Sequence, residues 1–580
     1  MGTLVTSRDI GQAAIGALRR ELSDLANFLP PYRMLTLAGS SPRQAARPLE
    51  PSPGGDASKG AALLAGRFTL AGETLGVANG ESVWALPAPS RAFAARLHSF
   101  EWLPDMLAVR GGNAEEVALV CIDDWLSWFG NWNSFAWSPA ILARRLRVWL
   151  QIVPLLEQGD DRRARDLRFK SLGRQSMRLR RALTLLPANA DRVEAAITLL
   201  AAAISLDLHP RLHQTGQRQL VADLKIQVLA DGGHVSRAPL TSARILEALV
   251  QLDALANAKG IPVDAEISRA MDRLAGGVRF FRMGPKGLAN FHGGGEGTTR
   301  LVETAMRGRE KVKPFNVAPH SGYHRAEAGG SVVILDAAGP AKGTNGLNAH
   351  ASALAFEFAP PGGRLIVNCG WSDDQPTGWR EAVRATAAHS ALTLEETSSA
   401  RLIRPGWKRR LLGDRFETGP APVRARRNEE DVGVWLESSH DGYRAQFGVG
   451  IRRRLFLAVD GGDLRGEDGI YRPVEDGPPD DPEKLLNFAI RFHLHPGVKA
   501  SLSRDSLSAL LVLPNGDGWR FRTDGGPVRL ERSVYLASGA PPIRSTQLVI
   551  AGEAESYGGG ERPPNRVRWA FQRLGRVGGA

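Results

Sequence analysis

The sequence predicts an α+β chain in two blocks, an N-terminal (α/α) toroid of helix pairs followed by a C-terminal antiparallel β-sandwich. Three observations carry that expectation. Apolar residues recur with helical spacing up to about residue 310 and alternate after it. Clusters of Gly, Pro and Asp separate the alternating runs, as turns between strands do. A length of 580 residues also exceeds what one hydrophobic core supports.

The N-terminus opens an amphipathic helix that Leu18, Leu22 and Leu25 continue. Between Ser40 and Gly80 the composition shifts to Pro, Gly, Ala and Ser, which predicts an extended arm with little core of its own. Helical spacing then returns in Ile141, Leu142, Leu146, Trp149 and Ile152, and again in Val193, Ile197, Leu200 and Ile204. A further helix over Thr241–Lys259 places Ile245, Leu249 and Leu252 on one face, with Gly260 and Pro262 as its stop. Another follows through Ile267, Met271 and Leu274. A curved array of helix pairs closes such a set around one core. After Lys311 the runs S-V-V-I-L-D, A-L-A-F-E-F, R-L-I-V-N-C, A-L-T-L-E-E, R-R-L-F-L-A-V, F-A-I-R-F-H-L-H and T-Q-L-V-I-A read as sandwich strands. The expected domains are therefore an N-terminal helix and arm over 1–89, a toroid over 90–310 and a sandwich over 311–580.

Charged residues make up 23% and hydrophobic ones 43%, the mixture of a globular protein. The net charge of +13 favours polyanionic partners without choosing among them. Its dispersal and the lack of a nucleic-acid motif argue against DNA or RNA. Cys121 and Cys369 read as buried thiols outside any disulfide framework. No signal peptide or membrane-spanning run is visible, which predicts a cytoplasmic chain.

Candidate chemistry gathers in a few places. The patch W-L-S-W-F-G-N-W-N-S-F-A-W carries Trp125, Trp128, Trp132 and Trp137; Asn131, Trp132 and Trp137, beside the Gly130 turn, are the ones expected to face a carbohydrate cleft. The turn A-D-G-G-H-V-S-R holds Asp231, His234 and Arg237, with His234 expected on an exposed bend. The run R-F-F-R-M-G-P-K-G-L-A-N-F-H-G-G-G-E adds Arg282, Asn290, His292 and Glu296, its glycines allowing close approach of a ligand. His350, Asn368 and His389 stand where apolar strands begin or end, so two imidazoles and an oxygen donor could meet at one sheet edge. They predict a structural, zinc-like divalent ion. His493 and His495 share one face of a strand and read mainly as a solvated pair.

These motifs, in this order from about Trp137 to the end, resemble the heparinase II/III-like polysaccharide lyases. The resemblance implies β-elimination of an acidic, uronate-containing polysaccharide. That reaction needs the carboxylate neutralised, a base for the α-proton and an acid for the leaving oxygen. It casts His234 as base or acid, Arg237, Asn348 and Asn290 as carboxylate contacts, and His292 or Tyr443 as the second proton-transfer group. Arg282 joins the tryptophans and Asn131 in holding the glycan. It also implies a periplasmic or cell-envelope location, and it leaves homo-oligomerisation open. Three departures stand out. Where lyases of this group carry His-x-His, this chain has Asn348-Ala349-His350; Asn368 stands where some members have Asp. No tyrosine lies between Tyr32 and Tyr323 to act as a helical-domain base. The alternative expectation is a non-catalytic glycan-binding or envelope-assembly protein that keeps the fold. A hydrolase is disfavoured, since only Asp231 and Glu296 stand near the other motifs.

Overall fold

A computed structural model describes the chain except residues 1, 38–41, 43–46, 52–53, 285–286, 294, 297–298, 310, 373, 477–483, 537–540, 558 and 577–580, and the side chains of 33 and 35–37. Helices fill its first half and strands its second, as the periods predict.

The helical block is built in two rows. Arg91–Ser99, Pro139–Gln151, Ala190–Ser205 and Pro239–Ala258 pack side by side as the inner row; Ala114–Phe129, Arg162–Ala182, Pro210–Gln227 and Ala265–Phe280 form the outer row. Two of the inner helices, Ala190–Ser205 and Pro239–Ala258, are covered on both sides and bury most of their residues. Ala195, Ala196 and Ala201 to Ala203 let neighbours approach Ala190–Ser205 closely. Gly216 does the same from the outer row, since a Cβ there would lie 3.0 Å from the Leu200 backbone nitrogen.

Among the described residues the sandwich comprises an eight-stranded and a nine-stranded sheet, in which every pair of neighbouring strands is antiparallel. Phe356, Phe492, Trp519, Phe521, Trp569 and Phe571 fill the space between them. One buried ion pair sits in that core: Arg453 holds Asp468 at 2.7 Å and donates to the carbonyls of Leu354 and Ser390. The N-terminal strand Gly2–Thr3 pairs with Phe416–Gly419, tying the start of the chain to the sandwich block. The following helix Ser7–Phe28 is fixed by a Thr6–Asp9 capping box and leaves Leu18, Leu22, Leu25 and Phe28 exposed.

The arm expected between Ser40 and Gly80 is corrected in part. Several of its residues lie outside the described ones, but Ala57–Leu64 is a helix, and Arg67–Leu70 pairs with Glu73–Gly76 as a hairpin. Leu63 and Phe68 enter the helical core, so a few well-spaced apolar residues suffice where composition alone reads as linker.

Candidate functional site

The D-G-G turn joins the two blocks. Gly232 has φ +74, and a Cβ on it would stand 1.8 Å from the Arg273 carbonyl oxygen, so this bend admits only glycine. It aims the Asp231 carboxylate at the backbone amides of His320 and Ser321, which donate to it at 2.8 and 2.7 Å. The start of the sandwich is thereby pinned over the turn.

That cover buries His234, which is 1% exposed and does not stand on an open bend. The Ser236 amide donates to its Nδ1 at 3.1 Å, so Nε2 carries the proton toward Gln227 Oε1 at 3.1 Å. Desolvation pushes its pKa down to about 3. Arg237 is buried too, with φ +64. Its guanidinium donates to the carbonyls of Ser321 and Gly339, pairs with Asp336 and lies 4.7 Å above the Tyr323 ring. Tyr323 returns a hydrogen bond to the Arg237 carbonyl at 2.8 Å, the structural role expected of it.

From Asp336 a chain of imidazoles runs inward. His292 Nε2 lies 3.1 Å from Asp336 Oδ2 and 2.9 Å from Arg237 Nη1, and its Nδ1 accepts the His350 amide at 3.1 Å. His350 and His389 do converge, Nδ1 to Nε2 at 3.1 Å. His389 Nδ1 donates to the Ala385 carbonyl, so its Nε2 accepts from His350, and His350 Nε2 is left buried without a partner. Burial lowers the pKa of all three, that of His389 to about 4. Asn368 stands apart from the pair, its Oδ1 accepting the Ser390 amide at 3.0 Å and its Nδ2 donating to the Asn290 carbonyl at 3.2 Å. Among the described residues no three His, Cys, Asp or Glu side chains are grouped to hold a metal. Two imidazoles and an engaged amide do not make the four-ligand set of structural zinc.

The remaining candidates are dispersed. Tyr443 is fully buried, its hydroxyl on the Thr397 carbonyl at 2.9 Å. Trp137 is 1% exposed and donates to Phe129 O, while Trp132 is packed edge-on by Phe28 at 4.8 Å; both are core residues and do not line a cleft. Asn131 and Asn348 are exposed, and Arg282 is half-buried. Asn290 is buried, donating to Tyr535 Oη at 2.9 Å and accepting the Glu296 amide. Gly293 faces Trp371, so the close approach expected of a ligand there is made by an indole; Gly294 lies outside the described residues. His493 is buried between Ser533 and the Ala387 carbonyl, whereas His495 is part-exposed beside Glu296; they are not a solvated pair.

Sequence reading missed the acids that organise these groups. Glu357 is fully buried between Arg364 and the amides of Asn290 and Asn368, and Asp336 anchors Arg237 and His292. Both sit in apolar strands, A-F-E-F and V-V-I-L-D, and a lone carboxylate in such a run is the signal that could have found them. Open space lies elsewhere. A cavity of about 250 Å³ among the inner helices is lined by Arg144, Arg147, Arg244, Glu101, Glu194 and Glu247. A junction cleft of about 710 Å³ is lined by Lys59, Arg67, Arg96, Asp105, Asp374 and Trp379 among others. His234, Arg237, His292, Asn348 and Tyr443 line neither.

Residues 310–570 match the heparinase II/III-like C-terminal domain. The chain belongs to the heparinase II/III-like family. Its fold is similar to that of heparinase III over 100% of this chain and 93% of that one, with TM-score 0.68 and 13% identity. It is also similar to a heparan sulfate lyase HepC mutant from Pedobacter heparinus, with TM-score 0.55, 15% identity and coverage of 99% and 90%. A full-length relative is FtsZ-localized protein C of Caulobacter vibrioides, 35% identical over 545 residues, 93% of this chain and 92% of that protein. The toroid-plus-sandwich architecture is thus that of the polysaccharide lyases.

Proposed function

We propose that this chain keeps the lyase fold as a glycan-binding assembly protein working at FtsZ-containing structures, without eliminating its glycan. One observation carries the reading. The groups that would move protons are buried as an interdomain lock, their imidazoles held neutral, and none opens on either cavity. General acid–base catalysis requires a group within hydrogen-bond reach of the substrate. The likeness to FtsZ-localized protein C supports the place of action. The inner-helix cavity offers alternating guanidinium and carboxylate groups, which suit sugar hydroxyls. Incubation with a panel of uronate polymers should give no rise in the ultraviolet absorbance of an unsaturated uronate, while the chain should co-sediment with FtsZ polymers. A rise in absorbance overturns the non-eliminating reading, and absence from the FtsZ pellet overturns the place of action.

Elimination of a uronate polysaccharide is the second reading. Glu296, His495 and Tyr535 favour it, a hydrogen-bonded trio in which Glu296 and His495 remain part-exposed. If the panel gives a positive result, Tyr535→Phe distinguishes this trio from His234 as the origin of activity.

A further inference from the structure

The outer face of the eight-stranded sheet carries a basic groove. Leu455, Leu457, Leu464, Trp569 and Phe571 point inward to the core, so the residues between them lie on the outer face, where Phe456 is covered by Trp435. Two registers of that outer face run across the strands. In the first, Trp435 is opposite Phe456, Phe456 opposite Arg465, Arg465 opposite Ala570, and Ala570 opposite Arg522. In the second, Glu437 is opposite Arg454, Arg454 opposite Glu467, and Glu467 opposite Arg568. Between them lies a groove of about 640 Å³.

Its charge is unbalanced. Arg452, Arg454, Arg566 and Arg568 all approach the single carboxylate of Glu467, at 3.8, 3.4, 4.0 and 3.2 Å. Glu561 and Glu437 relieve Arg452 and Arg454 in part. Arg520 and Arg522 both donate to the neutral Gln572 Oε1, at 3.1 and 3.3 Å, and among the described residues neither pairs with a carboxylate. Asp524 also lines the groove, its carboxylate engaged by the Arg568 amide at 2.7 Å. Guanidiniums that share too few acceptors are ready to exchange a neighbour for an incoming carboxylate. One end of the row is apolar: Trp435 is 39% exposed and lies 4.7 Å from Phe456 at 42°.

We propose that this groove binds a short, extended acidic peptide segment that carries an aromatic or aliphatic residue at one end. Five strands at about 4.8 Å spacing make the row about 19 Å long, the reach of about six extended residues. The apolar residue enters beside Trp435, and acidic side chains meet Arg522 and Arg568; Arg465 is already held by Asp463 at 2.7 Å. A sugar ring fits less well, because stacking needs an open flat ring and Phe456 already leans on Trp435.

The test uses a fluorescein-labelled peptide of alternating Glu and Ser with a terminal Phe, read by anisotropy on the full chain. The parent should bind, and more weakly as salt rises. R522E/R568E should weaken binding by about tenfold or more. W435A should weaken the Phe peptide but not its Phe-to-Ser counterpart. R520Q/R522Q serves if charge reversal disturbs folding, which the urea midpoint reports. Failure of the parent to bind overturns the proposal, as does binding indifferent to these arginines. Polygalacturonate held by the same arginines while the peptide is not would replace the peptide with a glycan. Since the probe is synthetic, these outcomes are independent of FtsZ co-sedimentation.

Discussion

Acidification from pH 7 to pH 5 should strip this protein of much of its stability, well above the range where carboxylates titrate. Four buried histidines make the case. The lone-pair nitrogen of each is already taken by a donor: His98 by Trp125 Nε1, His234 by the Ser236 amide, His440 by the Gly442 amide and His493 by the Ser533 hydroxyl. Protonating that nitrogen breaks the bond and charges a desolvated ring. Burial accordingly pushes their pKa values down to about 4, 3, 4 and 3. In the unfolded chain the same rings bind protons near pH 6.5, so between these values the unfolded state holds more protons. Stability is therefore complete above pH 6.5 and is lost as pH falls. At pH 5 each ring sits about 1.5 pH units below its unfolded pKa, worth about 2 kcal/mol, or about 8 kcal/mol for four. That rivals the whole stability of a typical domain, about 5–15 kcal/mol. Urea midpoints by tryptophan fluorescence at a series of pH values measure it. A flat profile from pH 7 to 5, or NMR signals of these four imidazoles titrating near 6.5, refutes the reasoning.

Asp336→Asn should cost about 3–5 kcal/mol, because it leaves the buried Arg237 guanidinium without its counter-charge. Replacing both by Met and Leu should cost less than the two single changes added together, and a urea double-mutant cycle reads the difference. Gly232→Ala forces a Cβ against the Arg273 carbonyl at a positive φ. It should lower the thermal midpoint by several degrees and loosen the junction, visible as faster amide exchange at Ser321.

Periodicity made the architecture legible, because covered inner helices and two-faced sheets write their burial into local spacing. Ala190–Ser205 buries an apolar run from Ala195 to Ile204, and Gly450–Ala458 alternates. The meeting of His350 with His389 was legible as well, from polar residues at the ends of apolar runs. What local spacing could not report was cover supplied from far along the chain. His234 reads as a turn residue, yet the segment from His320 to Tyr323 lies over its turn. Trp137 reads as a cleft aromatic, yet its indole nitrogen is satisfied by Phe129 and its rings are packed away. Burial of a polar side chain is a property of the assembled junction, and no window of the sequence contains both of its sides.

With an amide at Asn368, the two imidazoles can be enclosed without stranding a charge. A carboxylate in that position, as some lyases carry, would bury a negative charge a short way from Glu357, whose own pKa burial already raises. Only a cation would offset it. With an amide, His350 and His389 hydrogen-bond each other, Asn368 binds Ser390 and Asn290, and no net charge is stranded. Asn368→Asp reverses the arrangement. Its new oxygen would face the Asn290 carbonyl and the Glu357 carboxyl where an N–H now donates to both. The variant should be less stable than the parent by about 3–5 kcal/mol in chelator. The parent's midpoint should be the same with chelator and with zinc. A variant as stable as the parent in chelator would show that the pair is not closed by neutrality, and a parent that loses stability in chelator would show that a metal holds it.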